Sequence, residues 1–98
     1  MPNSPIKYLN KYVRLYLTYL YILLLENVFM SRLDTLGKNI KTYRKLKKLS
    51  QNELAERVDL SREHLACIET GKEFISLRKL FLIADILEVP LKNLMDFE

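Results

Sequence analysis

Two short segments with helical spacing, separated by only three residues, constrain the fold of this chain more than any other feature. Ser50 followed by Glu53 fits a capping box, which predicts a helix over residues 51–58. Ser61 can cap a second helix over residues 62–70. Two helices joined by so short a turn cross at a steep angle and project the second helix outward from the rest of the domain.

The crossing of two such helices needs particular residue types, and the segment supplies them. Ala55 is the small residue required where the two backbones approach each other. Asp59 is a turn residue that tolerates a left-handed backbone, although glycine would do so more easily. Apolar contacts between the helices are expected from Leu54, Val58, Leu65 and Ile68. The pattern therefore predicts a helix-turn-helix unit.

The flanking residues also show helical spacing and helix-ending signals. We expect a first helix over residues 34–46, a fourth over residues 77–87 capped by Ser76, and a last turn or helix that opens at Pro90. Gly71 is well placed to end the helix over residues 62–70. No segment alternates with period two, so we predict an all-α fold of four to five helices, with no strands.

Composition argues against an enzyme. The chain has 98 residues, which is room for one small domain and an appendage. Cys67 is the only cysteine and His64 the only histidine, so a disulfide framework, a zinc finger or a nucleophile–base pair has no residues to build it. We expect no cofactor, no metal and no small-molecule ligand, and the cysteine usage suits the cytoplasm. The net charge of +4 permits a nucleic-acid partner.

The first thirty residues differ from the rest, and we divide the chain into an extension, 1–30, and a domain, 31–98. Five of the six tyrosines lie in the extension, which is predicted to form an extra apolar helix over residues 6–25. Three interpretations remain open. The helix packs on the domain or on a second copy, it lies in a membrane interface, or it precedes a natural start at Met30. Membrane contact is the less favoured of the first two.

The residues from 36 to 97 resemble the Cro/repressor-type helix-turn-helix proteins, the XRE family with a lambda-repressor-like DNA-binding domain. The positions that carry the resemblance are Ile40, Arg44, Leu49 to Gln51, Glu53 to Ala55, Val58, Leu60, Ser61, Leu65, Ile68 to Lys72, Leu77, Leu80, Ala84, Leu87 and Val89. The resemblance implies a compact four-to-five-helix domain that binds double-stranded DNA as a homodimer. It also implies a transcriptional regulator, a repressor, with the helix over residues 62–70 in the major groove.

The resemblance implies DNA-contacting roles for seven residues: Gln51, Asn52, Ser61, Arg62, Glu63, Cys67 and Lys72. Gln51 and Lys72 match positions that touch phosphates. Arg62 would pair with a guanine, and Glu63 would accept from a cytosine amino group. Arg44 and Glu69 match a structural pair that joins the first helix to the end of the third, supported by packing of Ala55, Leu65 and Ile68.

Each of these roles has a simpler alternative, because exposed charges often only solvate a surface and Cys67 can pack as a small apolar residue. The same scaffold also serves antitoxins, controllers of restriction systems and protein-interaction modules that have lost DNA binding. A basic run adds a candidate phosphate-binding surface: Lys38, Lys41, Arg44, Lys45, Lys47 and Lys48. Glu73, Phe74 and Ile75 stand where this family commonly has basic or polar residues followed by proline, and Phe74 and Ile75 are candidates for a dimer contact.

Overall fold

A computed structural model describes residues 10–97 as a set of five helices. The helices are α1 (Lys11–Leu46), α2 (Gln51–Arg57), α3 (Arg62–Glu69), α4 (Leu77–Leu87) and α5 (Leu91–Leu94). The part of the chain that the structure describes contains no strand. The predicted all-α class and the four helices of the domain beyond α1 are confirmed, with bounds that agree to within one residue.

The start of the first helix was predicted wrongly. We expected a helix over residues 34–46 after a boundary near residue 30, whereas α1 is one continuous helix of 36 residues that begins at Lys11. Asn10 caps it, and its side chain accepts a hydrogen bond from the backbone N–H of Tyr12 at 2.7 Å. Because no glycine or proline lies between residues 11 and 36, the change in composition near residue 30 does not interrupt the backbone. The division into 1–30 and 31–98 stays a prediction.

Serine caps begin three of the helices, as the sequence predicts. At α2, the backbone N–H of Glu53 donates to Ser50 Oγ at 3.0 Å, and the backbone N–H of Ser50 donates to Glu53 Oε1 at 3.1 Å. The bond from the Ser50 backbone lowers the pKa of the Glu53 carboxyl. Ser61 accepts from the backbone N–H of His64 at 3.0 Å, and Ser76 caps α4 in the same way. The beginnings of these helices are therefore determined by local sequence.

Left-handed residues make the turns that follow α2 and α3. Asp59 has a φ of 56° and turns the chain from α2 into α3. Gly71 has a φ of 75° and turns the chain directly after Thr70, the residue that caps the end of α3. Both positions were predicted from sequence, and the glycine adopts this conformation without the steric cost that a Cβ brings.

The hydrophobic core lies between the last third of α1 and the four shorter helices. The buried apolar residues are Leu36, Ile40, Leu49, Leu54, Ala55, Val58, Leu65, Ile68, Leu80, Ile83, Ala84, Leu87 and Leu94. Burial of each large aliphatic side chain contributes about 1.5–3 kcal/mol, so this cluster is the main stabilising term of the fold. By contrast, residues 11–30 of α1 are exposed on every side and contribute nothing to the core.

Candidate nucleic-acid interface

The helix α3 presents one face to the core and the other to solvent. Leu65, Ile68 and Glu69 are buried against α1 and α2, which anchors the inner face. Arg62 and Glu63 in the first turn are exposed, and Cys67, one turn later, is half-buried. The outward face of the helix is therefore free for a ligand as large as a DNA duplex.

The N-terminal residue of this surface has a structural function already. The hydroxyl oxygen of Ser61 accepts the hydrogen bond from His64 that caps α3. The side chain is exposed, and its O–H can still donate to an acceptor outside the chain. Ser61 therefore lies at the surface predicted for base contacts, with its orientation set by the cap.

A buried ion pair connects α1 to the end of α3. Arg44 Nε and Nη2 donate to Glu69 Oε2 and Oε1 at 2.7 and 3.0 Å, in the two-pronged geometry that an arginine and a carboxylate favour. Arg44 Nη1 donates to the carbonyl of Leu49 at 2.9 Å. Arg44 and Glu69 are 6% and 3% exposed, so each charge depends on the other for compensation.

The first turn of α2 is part of the same network. Gln51 Nε2 donates to Glu69 Oε1 at 2.9 Å, so this carboxylate receives hydrogen bonds from both α1 and α2. Gln51 is half-buried, and its neighbour Asn52 is exposed on the outer side of α2. The Glu69 carboxylate thus connects α1, α2 and α3, and it holds Gln51 beside the end of α3.

Lys72 lies outside this network. It follows the left-handed Gly71, and its side chain is exposed beyond the end of α3. Gln51 and Asn52 on α2, and Lys72 beyond the end of α3, therefore lie on two separate backbone segments. The first turn of α3 itself holds Ser61, Arg62 and Glu63.

Some members of the basic run at the end of α1 form ion pairs with carboxylates, and the others do not. Lys38 contacts Asp34 at 3.1 Å, and Lys47 contacts Glu88 at 2.7 Å. The Lys47 ammonium lowers the pKa of the Glu88 carboxyl. Arg44 is buried against Glu69, so half of the six basic residues already face an acidic partner. Lys41, Lys45 and Lys48 are exposed and take part in none of these three ion pairs, so they reach a phosphate without giving up a carboxylate partner.

Lys79 on α4 is a residue whose importance the sequence did not reveal. Its ammonium donates to the carbonyl of Val58 at 2.5 Å and to that of Asp59 at 3.3 Å. These carbonyls close the C-terminus of α2 and form the turn into α3, where a positive charge is favoured by the helix dipole. No local pattern marks this contact, because about twenty residues separate Lys79 from the turn.

Phe74 is exposed, and its ring lies 5.5 Å from that of Phe29 on α1. The loop after α3 therefore touches the point at which α1 leaves the domain. The dimer contact that we predicted for Phe74 and Ile75 stays a prediction.

The described part of the chain contains no candidate metal site. Among residues 10–97, no group of three or more histidine, cysteine, aspartate or glutamate side chains is placed to hold a metal ion. The arrangement of α2 and α3, with a buried inner face and an exposed outer face, defines a helix-turn-helix protein.

Comparison with known proteins identifies the family. The family model HTH_3, described as Helix-turn-helix, matches residues 40–94. The chain belongs to this family, which is the XRE type that the sequence resembles. The match covers α2 to α5 and the last turns of α1, and leaves residues 11–30 outside it.

Two relatives and one solved structure show how the similarity is distributed. The immunity repressor protein of Bacillus phage phi105 is 39% identical over 64 residues, which are 65% of this chain and 44% of the repressor. The control protein C.SmaI of Serratia marcescens is 30% identical over 67 residues, which are 68% of this chain and 80% of that protein. The restriction-modification controller protein C.AhdI from Aeromonas hydrophila superposes with a TM-score of 0.60 at 29% identity, over 63% of this chain and 94% of the controller. The chain thus spans less than half of the length of the phage repressor.

Proposed function

We propose that the chain binds double-stranded DNA in a sequence-specific way, with α3 in the major groove, and that it represses transcription as a homodimer. The observation that carries this proposal is the orientation of α3, whose inner face is locked by the Arg44–Glu69–Gln51 network while Arg62 and Glu63 face solvent. A rigid helix with exposed polar residues in its first turn fits the dimensions of the major groove. We also propose that the chain is not an enzyme and that it acts in the cytoplasm.

The proposed DNA-contacting residues have two roles, contact with bases and contact with phosphates. Arg62 reads a guanine through two hydrogen bonds, an interaction that discriminates against other bases by about 1–3 kcal/mol. Glu63 accepts from a cytosine amino group, and Ser61 and Cys67 border the same bases. The phosphate contacts come from Gln51, Asn52 and Lys72, which orient the domain without reading sequence.

Additional contacts to phosphates come from the exposed half of the basic run. We infer that Lys45 and Lys48 bind the DNA backbone, whereas Lys38 and Lys47 are held by Asp34 and Glu88. Each phosphate contact that is lost lowers the slope of log affinity against log salt by about one unit. Replacing Lys45 and Lys48 by methionine should therefore lower the slope by up to about two units. The same replacement of Lys38 and Lys47 is the control and should change the slope less.

Selection of binding sites from random duplexes tests the function directly. We expect an enriched, roughly palindromic sequence with two half-sites about one helical turn apart. Arg62→Ala should relax the preference at one base pair of each half-site, whereas Lys72→Ala should weaken binding to all sequences alike. If no sequence is enriched at physiological salt, the regulator hypothesis fails and the protein-interaction alternative is favoured.

A restriction-system controller is the second candidate, and the comparisons give a specific reason for it. The chain matches 80% and 94% of two controller proteins but only 44% of the phage repressor. Mapping the sites that the protein occupies in its native genome distinguishes the candidates, because a controller should occupy a site beside genes for a methyltransferase and an endonuclease. An antitoxin should occupy a site beside a toxin gene.

A further inference from the structure

The N-terminal half of α1 exposes an apolar surface too large for a soluble monomer. Every residue from 11 to 30 is exposed. The large apolar residues among them are Tyr12, Val13, Leu15, Tyr16, Leu17, Tyr19, Leu20, Tyr21, Ile22, Leu23, Leu24, Leu25, Val28, Phe29 and Met30. Soluble monomers rarely expose a continuous apolar patch above about 300–600 Å², and fifteen such side chains exceed that range. A partner must therefore cover this surface.

One stripe of this surface has the spacing of a coiled coil. Val13, Leu17, Leu20, Leu24 and Asn27 follow one another at intervals of four, three, four and three residues, which is the spacing of the two core positions of a heptad repeat. The leucines and valine of the stripe are 41% to 60% exposed. The positions that flank the core of such a repeat are also apolar: Tyr16, Tyr21, Leu23 and Val28.

The stripe lies on the side of α1 that the domain leaves free. Leu36, Ile40 and Arg44 of α1 face the core. At about 100° per residue, Leu17 and Leu24 lie roughly 150° around the helix from Ile40. Continued toward the domain, the same stripe reaches polar residues: Ser31, Lys38 and Thr42. A second helix can therefore pack along residues 13–28 without meeting α2 to α5, and its apolar contact ends where the domain begins.

We propose that this stripe, residues 13–28, pairs with the same stripe of a second copy in a parallel two-stranded coiled coil. Parallel pairing places both domains at the same end of the coil, as two adjacent DNA half-sites about 34 Å apart require. The parallel orientation rests on the proposed function, whereas the existence of the apolar stripe is independent of it. Asn27, at the last core position of the stripe, meets Asn27 of the second copy, where the two side-chain amides can hydrogen-bond to each other.

A lipid bilayer is the competing occupant. By length and composition, α1 contains a stretch that is apolar enough to cross a membrane. However, the uncharged run covers residues 15–25 only, which corresponds to about 16 Å of helix against a hydrocarbon core of about 30 Å. Glu26 and Asn27 follow this run directly. The charge and length favour a second copy, which can cover the stripe and leave Glu26 in water.

Sedimentation equilibrium of the full chain tests the pairing. We expect a particle of twice 11.7 kDa at micromolar concentration. The variant L17K/L24K, on the stripe, should weaken the dimer about 100-fold or more, because two ammonium groups would enter the apolar seam. The matched control is L15K/I22K on the other side of the same helix, which removes equally exposed apolar residues and should leave the dimer intact. Circular dichroism must show unchanged helix content in both variants.

Cysteine cross-linking tests the orientation. In a chain that carries Cys67→Ser, single substitutions Leu17→Cys and Leu24→Cys should each give a disulfide-linked dimer. An antiparallel pair can bring at most one of these positions close to its own copy, so two cross-links require a parallel pair. Cysteine at Ile22, on the other side of the helix, should give none.

Three results would overturn the proposal. The first is a monomer of 11.7 kDa, and the second is equal dissociation by L17K/L24K and L15K/I22K. The third is a chain that floats with vesicles of phosphatidylcholine and phosphatidylglycerol while it remains monomeric. Loss of the dimer can be distinguished from loss of DNA binding. The variant L17K/L24K should bind a duplex with two half-sites more weakly than the parent does. Its affinity for a duplex with a single half-site should be unchanged. A chain that dimerises but binds neither duplex contradicts the proposed function alone.

Discussion

Gly37 of α1 packs directly against the backbone carbonyl of Ile68 in α3. A Cβ at residue 37 would collide with that carbonyl oxygen and lie 2.8 Å from the carbonyl carbon and oxygen of Glu69. All of these atoms belong to the backbone, so no flexible side chain can move aside. The close approach of α1 and α3 brings Arg44, two turns further along α1, within reach of Glu69.

Gly37→Ala should therefore destabilise the fold. Helix propensity alone predicts that alanine stabilises an internal helix position by about 1 kcal/mol relative to glycine. The collision with α3 should reverse the sign and lower the free energy of unfolding by about 1–3 kcal/mol, as overpacking of a filled core does. Urea unfolding measures the change, with Lys38→Ala at the adjacent exposed position as control. A stability equal to or above that of the parent would contradict the packing described here.

The Arg44–Glu69 pair should show strong coupling in a double-mutant cycle. Arg44→Met leaves a carboxylate that is 3% exposed without its guanidinium, which should cost about 3–5 kcal/mol of unfolding free energy. The double variant Arg44→Met/Glu69→Leu removes both charges and should recover a large part of that loss. Thermal and urea unfolding of the single and double variants measure the coupling. Additive losses would show that the two side chains act independently.

Lys79→Met should loosen the turn that carries α3. Loss of the bonds to the carbonyls of Val58 and Asp59 should lower the free energy of unfolding by about 1–3 kcal/mol, because Val58 is only 1% exposed and its carbonyl would lose a charged donor. Amide hydrogen exchange should accelerate at Leu60, whose N–H bonds to the carbonyl of Ala55 within the same turn. Lys41→Met, a loss of an exposed lysine on α1, is the control. Equal exchange at Leu60 in both variants would refute a positioning role for Lys79.

Asp59→Gly should stabilise the domain. The φ of 56° at residue 59 is a left-handed conformation that costs a residue with a Cβ about 1 kcal/mol more than glycine. Glycine also has more freedom to lose in the unfolded chain, so we expect a net gain of about 0.5 kcal/mol, whereas Asp59→Val should lose more than 1 kcal/mol. The midpoints of urea unfolding measure both changes. The two substitutions should change the free energy of unfolding in opposite directions. If both lower it, the effect arises from the loss of the carboxylate and not from the backbone conformation.

Local sequence determined the starts of α2, α3 and α4, the turn after α2 and the turn after α3, and most of the core. The serine caps at residues 50, 61 and 76 and the left-handed positions at Asp59 and Gly71 act over three or four residues, so a single sequence shows them directly. The apolar spacing of α2 and α3 likewise identified Ala55, Leu65 and Ile68, which are buried. The exposed face of α3 follows from the same spacing, because residues that do not face the core must face solvent.

Tertiary structure decided the features that depend on contacts between distant segments. Periodicity locates Gly37 on α1 but does not show that α3 passes against it, and nothing around Lys79 indicates that it reaches the turn of the helix-turn-helix. The sequence of the basic run likewise does not show that Lys47 forms an ion pair with Glu88 at the end of α4. We treated the change in composition near residue 30 as a break in the helix, and the prediction therefore missed that α1 continues through this residue. Hydrogen bonds within one helix turn are set by neighbours in sequence, whereas close backbone approaches and ion pairs between helices exist only after the chain has folded.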